Sequence, residues 1–366
     1  MPKPLDLSAL RRYAVARTLF APTTLPRAID KLGFVQADPI RAPAPAQDLT
    51  LRHRVKDYRA GDLKRRYTRL VVEEDFFINH GILPRATQRL MHPRRARTVW
   101  DATKMRQAQA VLDFVRERGT VHPREVDARF SHGKVSNWFG GTTNASTQLL
   151  DGMQYRGMVR IAGRASGVRL YAAAPIIEPP QDPQQHMDAL ANVVIGLYAP
   201  LPERTLKHLV SRLVFAAPQW MHLRKDTLAR LRARLQHAKV NGQSWYWPES
   251  ENPTSNRHEP DDIVRLLAPF DPIVWDRDRF ERLWDWAYRF EAYTPAHNRV
   301  RGYYAMPLLW RDQIIGWGNL AWRDAKLKAD VGYVAGNPPR DAAFKRALDD
   351  ELQRMQAFLQ GVPASV

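Results

Sequence analysis

The residues best suited to chemistry are an amide and a carboxylate that lie two positions apart near the start of the chain. Gln36 and Asp38 follow the apolar run 32–35 and precede Pro39. In an extended segment, side chains two residues apart point to the same side. There Asp38 could accept a proton from a water molecule while Gln36 orients that water. On spacing alone, the simpler interpretation is that Asp38 caps a turn or a helix and that Gln36 is solvated.

Other kinds of catalytic site have little support in the sequence. The chain contains no cysteine, which excludes disulfides, thiolate metal sites, iron–sulfur clusters on cysteine and a cysteine nucleophile. Its 11 histidines are scattered, without the paired spacing of a zinc site. We therefore expect neither a metal nor a cofactor.

The region around the middle of the chain predicts a winged helix. Apolar residues recur at helical spacing over 105–118, and Gly119 is suited to end that helix. Two further helices are predicted at 122–130 and 144–156. A basic hairpin should follow, with strands 158–161 and 168–171, and its Arg164 and Arg169 are candidate DNA-binding residues. A helix-turn-helix followed by a basic hairpin is typical of proteins that sit on a DNA groove.

The same order of elements is predicted twice more. Downstream, the helical segments are 187–198, 204–215 and 225–237, and a hairpin at 240–247 turns at an Asn-Gly pair. The start of the chain is a weaker copy, with helices at 7–19 and 24–32. The alternative is that any helical domain produces three-helix groupings by chance.

The last hundred residues have a different pattern. Strands are predicted at 302–310 and 313–322, a third at 330–335, and a closing helix at 341–359. The fold class is therefore α+β, mostly helical, with small antiparallel hairpins. The predicted domains are 1–100, 101–175, 184–250 and 260–366.

The charge of the chain favours a polyanionic partner. Its 366 residues include 56 Lys and Arg against 38 Asp and Glu, a formal net charge of +18. Such an excess favours nucleic acid through the release of counterions. The stretch 51–56 resembles a basic helix, so Arg52, His53 and Arg54 are predicted to contact DNA; the alternative is a solvated charged face. The N-terminus has no apolar core of signal-peptide length, and no apolar stretch is long enough to span a membrane. We expect a cytoplasmic, nucleoid-associated protein.

Two strings of residues resemble the bacterial crosslink-repair DNA glycosylases, a winged-helix family also called YcaQ- or AlkZ-like. The first is Leu-Gly-Phe-Val-Gln-Ala-Asp-Pro-Ile at 32–40, followed by Ala-Gln-Asp-Leu at 46–49. The second is longer and more specific: Ala-Pro-Phe-Asp-Pro-Ile-Val-Trp-Asp-Arg at 268–277, then Glu-Ala-Tyr-Thr-Pro at 291–295 and Arg-Gly-Tyr-Tyr at 301–304. The resemblance covers most of the chain.

This resemblance implies three tandem winged-helix units in a C shape, and cleavage of N-glycosidic bonds to alkylated bases, including the unhooking of interstrand crosslinks. Gln36 and Asp38 match the family's Gln-x-Asp pair, which would position and activate water. Asp38 would also stabilise positive charge that grows at the sugar C1′. The implied partner is double-stranded DNA with alkylated or crosslinked bases. The hairpin that carries Arg311 and Gln313 is implied to contact DNA at the lesion.

The chain departs from the family pattern at two places. Relatives with a Gln-x-Asp pair often carry His-Asp after it and His-Glu further on. This chain has Gln47-Asp48 and Asn79-His80 at the corresponding stretches. Gln47 is therefore a candidate for altered lesion contacts, and the substrate range of a subfamily is left open.

The leading hypothesis is a monomeric, monofunctional DNA glycosylase, because no Lys adjoins the Gln-x-Asp pair to support a lyase step. A non-enzymatic winged-helix regulator is the alternative, since winged helices are commoner in regulators than in glycosylases. A third hypothesis is an RNA-binding protein, which the basic charge of the chain would also suit.

Overall fold

The computed structural model describes residues 4–130, 133–136 and 142–360. It divides into two compact units, each assembled from segments that are separate in the sequence. Unit 1 consists of Met1–Leu63, Asn192–Val210 and Leu228–Val366, and unit 2 consists of Lys64–Ala191 and Ser211–Thr227. The predicted segment 101–175 thus lies within unit 2, whereas both candidate catalytic residues lie in unit 1.

The helices follow the apolar periodicity of the sequence. In the described residues they are α1 (Leu7–Thr18), α2 (Leu25–Leu32), α3 (Ala46–Leu51), α4 (Asp62–Arg66), α5 (Arg85–Arg89), α6 (Ala102–Arg118), α7 (Pro123–Phe130), α8 (Ala145–Tyr155), α9 (Pro183–Tyr198), α10 (Glu203–Arg212), α11 (Arg224–Arg234), α12 (Arg277–Trp284) and α13 (Ala342–Leu359). Short 3-10 turns occur at 67–69, 218–223, 256–258 and 296–298. None of the described helices is both long and apolar enough to cross a membrane.

The strands form several small sheets, and the hairpins within these sheets are antiparallel. The strands are β1 (Val35–Gln36), β2 (Val72–Phe76), β3 (His80–Pro84), β4 (Thr120–Val121), β5 (Lys134–Ser136), β6 (Thr142–Asn144), β7 (Val159–Ala165), β8 (Val168–Ala173), β9 (Leu201–Pro202), β10 (Gln236–Val240), β11 (Gln243–Trp247), β12 (Val264–Leu266), β13 (Met306–Trp310), β14 (Gln313–Arg323) and β15 (Lys326–Tyr333). Together with the helices they form an α+β protein, as the sequence predicts.

The middle segment has the predicted order of helices and hairpin. Asp101 caps the N-terminus of helix α6, because its carboxylate accepts the Lys104 N–H at 2.7 Å. Gly119 caps the C-terminus with φ of 76°. Helices α7 and α8 follow, and then the hairpin of β7 and β8, whose turn residues Ser166 and Gly167 both have positive φ. Strand β4, which the sequence pattern did not predict, pairs with β8 to complete a three-stranded sheet in the order β4-β8-β7.

The downstream segment repeats this order. A short strand, β9, follows helix α9, and helices α10 and α11 precede the hairpin of β10 and β11. The predicted Asn-Gly turn is confirmed, because Asn241 and Gly242 have φ of 50° and 75°, the pair of positive values that a type I′ hairpin turn requires. The sheet order β10-β11-β9 again places the short strand beside the second strand of the hairpin.

The C-terminal segment forms a four-stranded antiparallel sheet in the order β12-β13-β14-β15. Strand β14 alternates between buried and half-exposed residues along its length, the period-2 pattern of a sheet with one buried face. Its predicted pairing with the preceding strand across Arg311-Asp312 is confirmed. Helix α13 packs against β12 and β15, and it supplies Phe344, Met355 and Phe358 to the core.

A buried ion pair connects the first part of unit 1 to the segment that precedes α12. The Arg54 side chain is fully buried, and its guanidinium donates to the Asp271 carboxylate through Nη1 at 2.8 Å and Nη2 at 3.0 Å. Its remaining hydrogen bonds go to the carbonyls of Thr18 and Thr50. Asp271 in turn accepts the N–H of Ile273. Two charges can be buried without a large penalty only when they are satisfied in this way.

Replacing Asp271 with Asn should lower the free energy of unfolding by about 3–5 kcal/mol, because a charged Arg54 would then remain in the interior without its counterion. The double variant Arg54→Met with Asp271→Leu should be more stable than either single variant, since it removes both charges. Urea unfolding followed by tryptophan fluorescence measures both effects. Single variants as stable as the parent protein would show that the pair does not hold unit 1 together.

Candidate active site

Gln36 lies where the chain leaves helix α2 and enters strand β1. Gly33 ends the helix in the left-handed conformation with φ of 69°, and Phe34 and Val35 are buried behind it. Gln36 is itself buried, and its Oε1 accepts a hydrogen bond from the Trp275 indole Nε1 at 2.6 Å. An indole N–H can only donate, so this contact fixes the orientation of the amide. The amide NH2 group of Gln36 is then the part that can donate to a ligand.

Asp38 is half-buried at the start of an irregular segment. Its Oδ1 accepts the backbone N–H of Ile40 at 2.9 Å, which is the local capping contact that the simpler interpretation of the sequence expects. Its own backbone N–H donates to the side-chain Oε1 of Gln47 at 3.3 Å. Among the described residues, none donates a hydrogen bond to the second carboxylate oxygen, Oδ2. The turn therefore holds Asp38 in place through one oxygen and leaves the other available.

The environment of Asp38 makes its carboxylate more basic than an ordinary aspartate. Partial burial raises its pKa, because the charged form loses hydration, and the hydrogen bond from Ile40 opposes this shift only in part. A carboxylate with a raised pKa accepts a proton more readily, as a general base requires. The structure thus combines a basic carboxylate and an oriented amide two residues apart.

The segment that holds Gln36 in place is anchored by the buried ion pair. Within 268–275 the N–H groups of Val274 and Trp275 donate to the carbonyl of Asp271, which forms a tight turn. Since Asp271 is held by Arg54, the Trp275 indole is positioned from the residues after helix α3 rather than by strand β1 alone. The segment 268–277, which resembles the family, therefore holds in place Gln36 in the other family-like segment, 32–40.

An aromatic cluster lies in the same part of unit 1. The rings of Phe270 and Phe290 are 5.1 Å apart between centroids, and Phe290 also contacts Tyr304 at 5.4 Å and Tyr293 at 6.1 Å. Burial and then the charge of Asp38 raise the pKa values of Tyr293 and Tyr304. Both tyrosines are therefore within electrostatic reach of the candidate base. In the sequence they belong to the second family string, and no role is predicted for them there.

One carboxylate shapes the loop that carries the exposed tyrosines. Glu291 is buried and accepts the N–H groups of Val300, Arg301 and Gly302 at 2.8–3.2 Å. Burial favours its neutral form, but these three donors outweigh that effect and lower its pKa. Tyr293 and Tyr303 remain 77% and 44% exposed on this loop. The loop is thus held from within while it presents two aromatic rings to solvent.

The basic stretch after helix α3 does not form the predicted DNA-contacting helix. Helix α3 ends at Leu51, and Arg54 is buried in its ion pair with Asp271. The Arg52 side chain is almost fully buried and paired with Glu351. The His53 Nε2 lies 3.0 Å from the carbonyl of Leu266, and burial lowers the pKa of that imidazole. Arg54 is fully buried, so the prediction that it contacts DNA is wrong. Contact by Arg52 and His53 remains a prediction, and it competes with these internal hydrogen bonds.

The two hairpin arginines of the middle segment, Arg164 and Arg169, are engaged inside unit 2. Arg164 and Arg169 both donate to the buried carboxylate of Glu74, at 2.7 and 3.0 Å. His80 lies 3.4 Å from the same carboxylate, and burial lowers its pKa although Glu74 opposes the shift. Arg164 and Arg169 are only partly exposed. Their contact with DNA remains a prediction, and it competes with this internal ion-pair cluster.

The two remaining candidates lie at the turn between β13 and β14. Arg311 is exposed, has φ of 56°, and pairs with Asp262 at 2.6 Å. Gln313 is half-buried and accepts a hydrogen bond from Arg11 at 3.4 Å. Gln47, which stands where relatives often have His, contacts the backbone of Asp38. No structural observation tests whether these residues contact DNA. Among the described residues, no group of three His, Asp or Glu side chains is arranged to hold a metal ion.

Comparisons with known proteins identify the family and the fold of the chain. A family model described as "DNA glycosylase AlkZ-like" matches residues 29–358, a range that contains Gln36, Asp38, Trp275 and the tyrosine loop. The solved structure of the Streptomyces sahachiroi DNA glycosylase AlkZ matches with a TM-score of 0.63 over 99% of this chain and 100% of that one, at 13% sequence identity. At that identity the match shows a shared fold. The extent of the family match shows more: the chain belongs to the AlkZ-like DNA glycosylase family.

Proposed function

We propose that the chain is a DNA repair glycosylase that hydrolyses the N-glycosidic bond of alkylated purines in duplex DNA and unhooks interstrand crosslinks. The observation that carries this proposal is the half-buried Asp38, whose pKa burial raises and whose Oδ2 is uncommitted among the described residues. Gln36, held by Trp275, supplies a fixed hydrogen-bond donor two residues away. Membership of the AlkZ-like family supplies the class of reaction.

In the proposed reaction, Asp38 accepts a proton from a water molecule whose oxygen attacks the sugar C1′. The bond between C1′ and the purine nitrogen breaks, and its electron pair leaves with the base. As this bond stretches, positive charge grows at C1′, and the ionised carboxylate stabilises it. The amide NH2 of Gln36 donates to the water oxygen and holds it in line. The products are a free base and an abasic deoxyribose.

The substrate class follows from the use of one carboxylate. A purine alkylated at N7 or N3 carries a positive charge, so the departing electron pair neutralises it and no proton donor is needed. An unmodified purine leaves as an anion and would call for a general acid. We therefore propose cationic alkylpurines as substrates and hydrolysis without a Schiff-base intermediate, which leaves an intact abasic strand.

The exposed rings of the loop that Glu291 holds support a role for bulky lesions. Tyr293 is largely and Tyr303 partly open to solvent, so the loop can meet a large adduct or a second strand without first opening. A crosslinked base cannot easily rotate out of the duplex into a closed pocket. A site that is open to the solvent is therefore better suited to unhooking than an enclosed cavity.

We further propose that the chain contains three winged-helix units and that exposed basic residues contact the DNA backbone. The order of helices, short strand and hairpin in the middle and downstream segments supports the first part. For the second part, we propose that the basic residues around helix α4, rather than the stretch Arg52–Arg54, form a DNA-binding surface. Lys64, Arg66 and Arg69 are exposed in the described structure, and they directly precede the hairpin of β2 and β3.

Replacing Lys64, Arg66 and Arg69 together with alanine should weaken binding to any duplex, because fewer phosphates are neutralised. The slope of log K against log salt should become shallower by about 0.9 for each phosphate that these side chains neutralise in the wild type. Fluorescence anisotropy across a salt series measures this slope. The control, Lys326→Ala with Lys328→Ala and Lys345→Ala, removes the same charge from exposed residues of unit 1. Equal slopes for the two triple variants would exclude the α4 run as a DNA-binding surface.

Asp38→Asn should reduce the release of N7-methylguanine from duplex DNA by at least about 100-fold, because amide nitrogen and oxygen cannot take the proton. Duplex binding should stay within twofold of the wild type. Mass spectrometry of the released base and anisotropy measure the two quantities. Asp30→Asn, on the exposed face of α2, is the matched control and should retain full activity. Full activity of Asp38→Asn would contradict the proposed mechanism, and tight binding without base release by the wild type would favour the regulator hypothesis.

The raised pKa of Asp38 should also set the acid limb of the rate. Excision requires the ionised carboxylate, so the single-turnover rate should fall as pH drops through a midpoint above the usual aspartate value of about 3.9. The stability effect has the opposite sign. Because the folded pKa is above the unfolded one, ionised Asp38 destabilises the fold once pH exceeds both values. Asp38→Asn should therefore have an equal or higher Tm at pH 7, and a clearly lower Tm would show that the carboxylate is structural.

A further inference from the structure

One buried hydroxyl near the candidate base has no internal partner. The Tyr304 side chain is only 3% exposed, and no described group hydrogen-bonds to its Oη. Other buried tyrosines find partners: Tyr13 donates to Glu251, Tyr171 to Asp151 and Tyr288 to the carbonyl of Ala305. A buried polar group without a partner destabilises a fold. One explanation for such a group is that a ligand or a bound water molecule satisfies it.

The surroundings of Tyr304 connect it to the candidate active site. Its ring packs edge-on against Phe290, and Phe290 packs against Phe270 in the segment that carries Trp275. Trp275 in turn donates to Gln36. Burial raises the pKa of Tyr304 and the charge of Asp38 raises it further, so the hydroxyl stays protonated at neutral pH. A neutral tyrosine oxygen can both donate and accept a hydrogen bond.

Gln36 and Asp38 do not satisfy every hydrogen bond that the attacking water can form. A water molecule donates two protons and accepts at two lone pairs. Asp38 takes one proton, the Gln36 amide NH2 donates to one lone pair, and the second lone pair attacks C1′. The second proton needs an acceptor, and one of the two lone pairs on the Gln36 Oε1 is already taken by Trp275.

We propose that Tyr304 is a third water-binding residue of this site, whose hydroxyl oxygen accepts the second proton of the attacking water in a hydrogen bond. This inference rests on the proposed glycosylase function. It would explain why a buried hydroxyl within electrostatic reach of Asp38 has no protein partner. Tyr304 removes no proton in the reaction; it fixes the direction in which the water lone pair points.

The variant Tyr304→Phe tests this inference, because it deletes only the hydroxyl. Under single-turnover conditions with duplex DNA that contains N7-methylguanine, we expect the rate constant of base release to fall 10–100-fold. The Kd for the same duplex, measured in the Asp38→Asn background, should change less than twofold. The Tm should equal or exceed that of the wild type, since no internal hydrogen bond is removed.

Tyr288→Phe is the matched control, because Tyr288 is equally buried but donates to Ala305 at 2.6 Å. It should lower the Tm by a few degrees and keep the rate constant within twofold. A Tyr304→Phe rate within twofold of wild type would overturn the inference, and so would equal rate losses in the two phenylalanine variants. Failure of the glycosylase proposal itself would appear separately, as no base release by the wild type.

Discussion

The buried pair of Arg54 and Asp271 is the constraint on which the candidate site depends. It joins the residues after helix α3, soon after the Gln-x-Asp pair, to the turn that carries Trp275, far along the chain. Through Trp275 it fixes the amide of Gln36, and through the same segment it places Phe270 against the aromatic cluster. A carboxylate and an amide beside so short a strand have little rigidity of their own. The interior of unit 1 supplies that rigidity, and it uses charges that cannot be removed singly without a large loss of stability.

Charge in this chain has two separate uses. Part of its basic excess is consumed internally: Arg52 pairs with Glu351, and Arg164 and Arg169 pair with Glu74. Other basic residues, among them Lys64, Arg66 and Arg69, are exposed and can attract a polyanion. Net charge therefore indicates the class of partner but does not identify the residues that bind it. The exposed run at Lys64, Arg66 and Arg69 follows from burial, which composition does not reveal.

Much of the local structure could be predicted from the sequence, because its signals are local. Gly119 ends a helix, Asn241-Gly242 makes a hairpin turn, and the alternation along β14 gives a sheet with one buried face. The role of Arg54 could not be predicted in this way, since its partner lies far along the chain and a basic stretch resembles a solvated face. The unpartnered hydroxyl of Tyr304 is likewise a property of packing. The Gln-x-Asp pair stands out only because its spacing coincides with a resemblance to a family.

The central claim is that Asp38 activates water for attack at C1′ on a cationic alkylpurine, including one that links two strands. The most direct measurement is the unhooking of a duplex that carries a nitrogen-mustard interstrand crosslink, followed on a denaturing gel. We expect the wild type to convert the crosslinked band to separate strands, and we expect Asp38→Asn to bind the duplex but leave it crosslinked. Unhooking by Asp38→Asn at the wild-type rate would contradict the claim, as would an intact crosslink after incubation with the wild type.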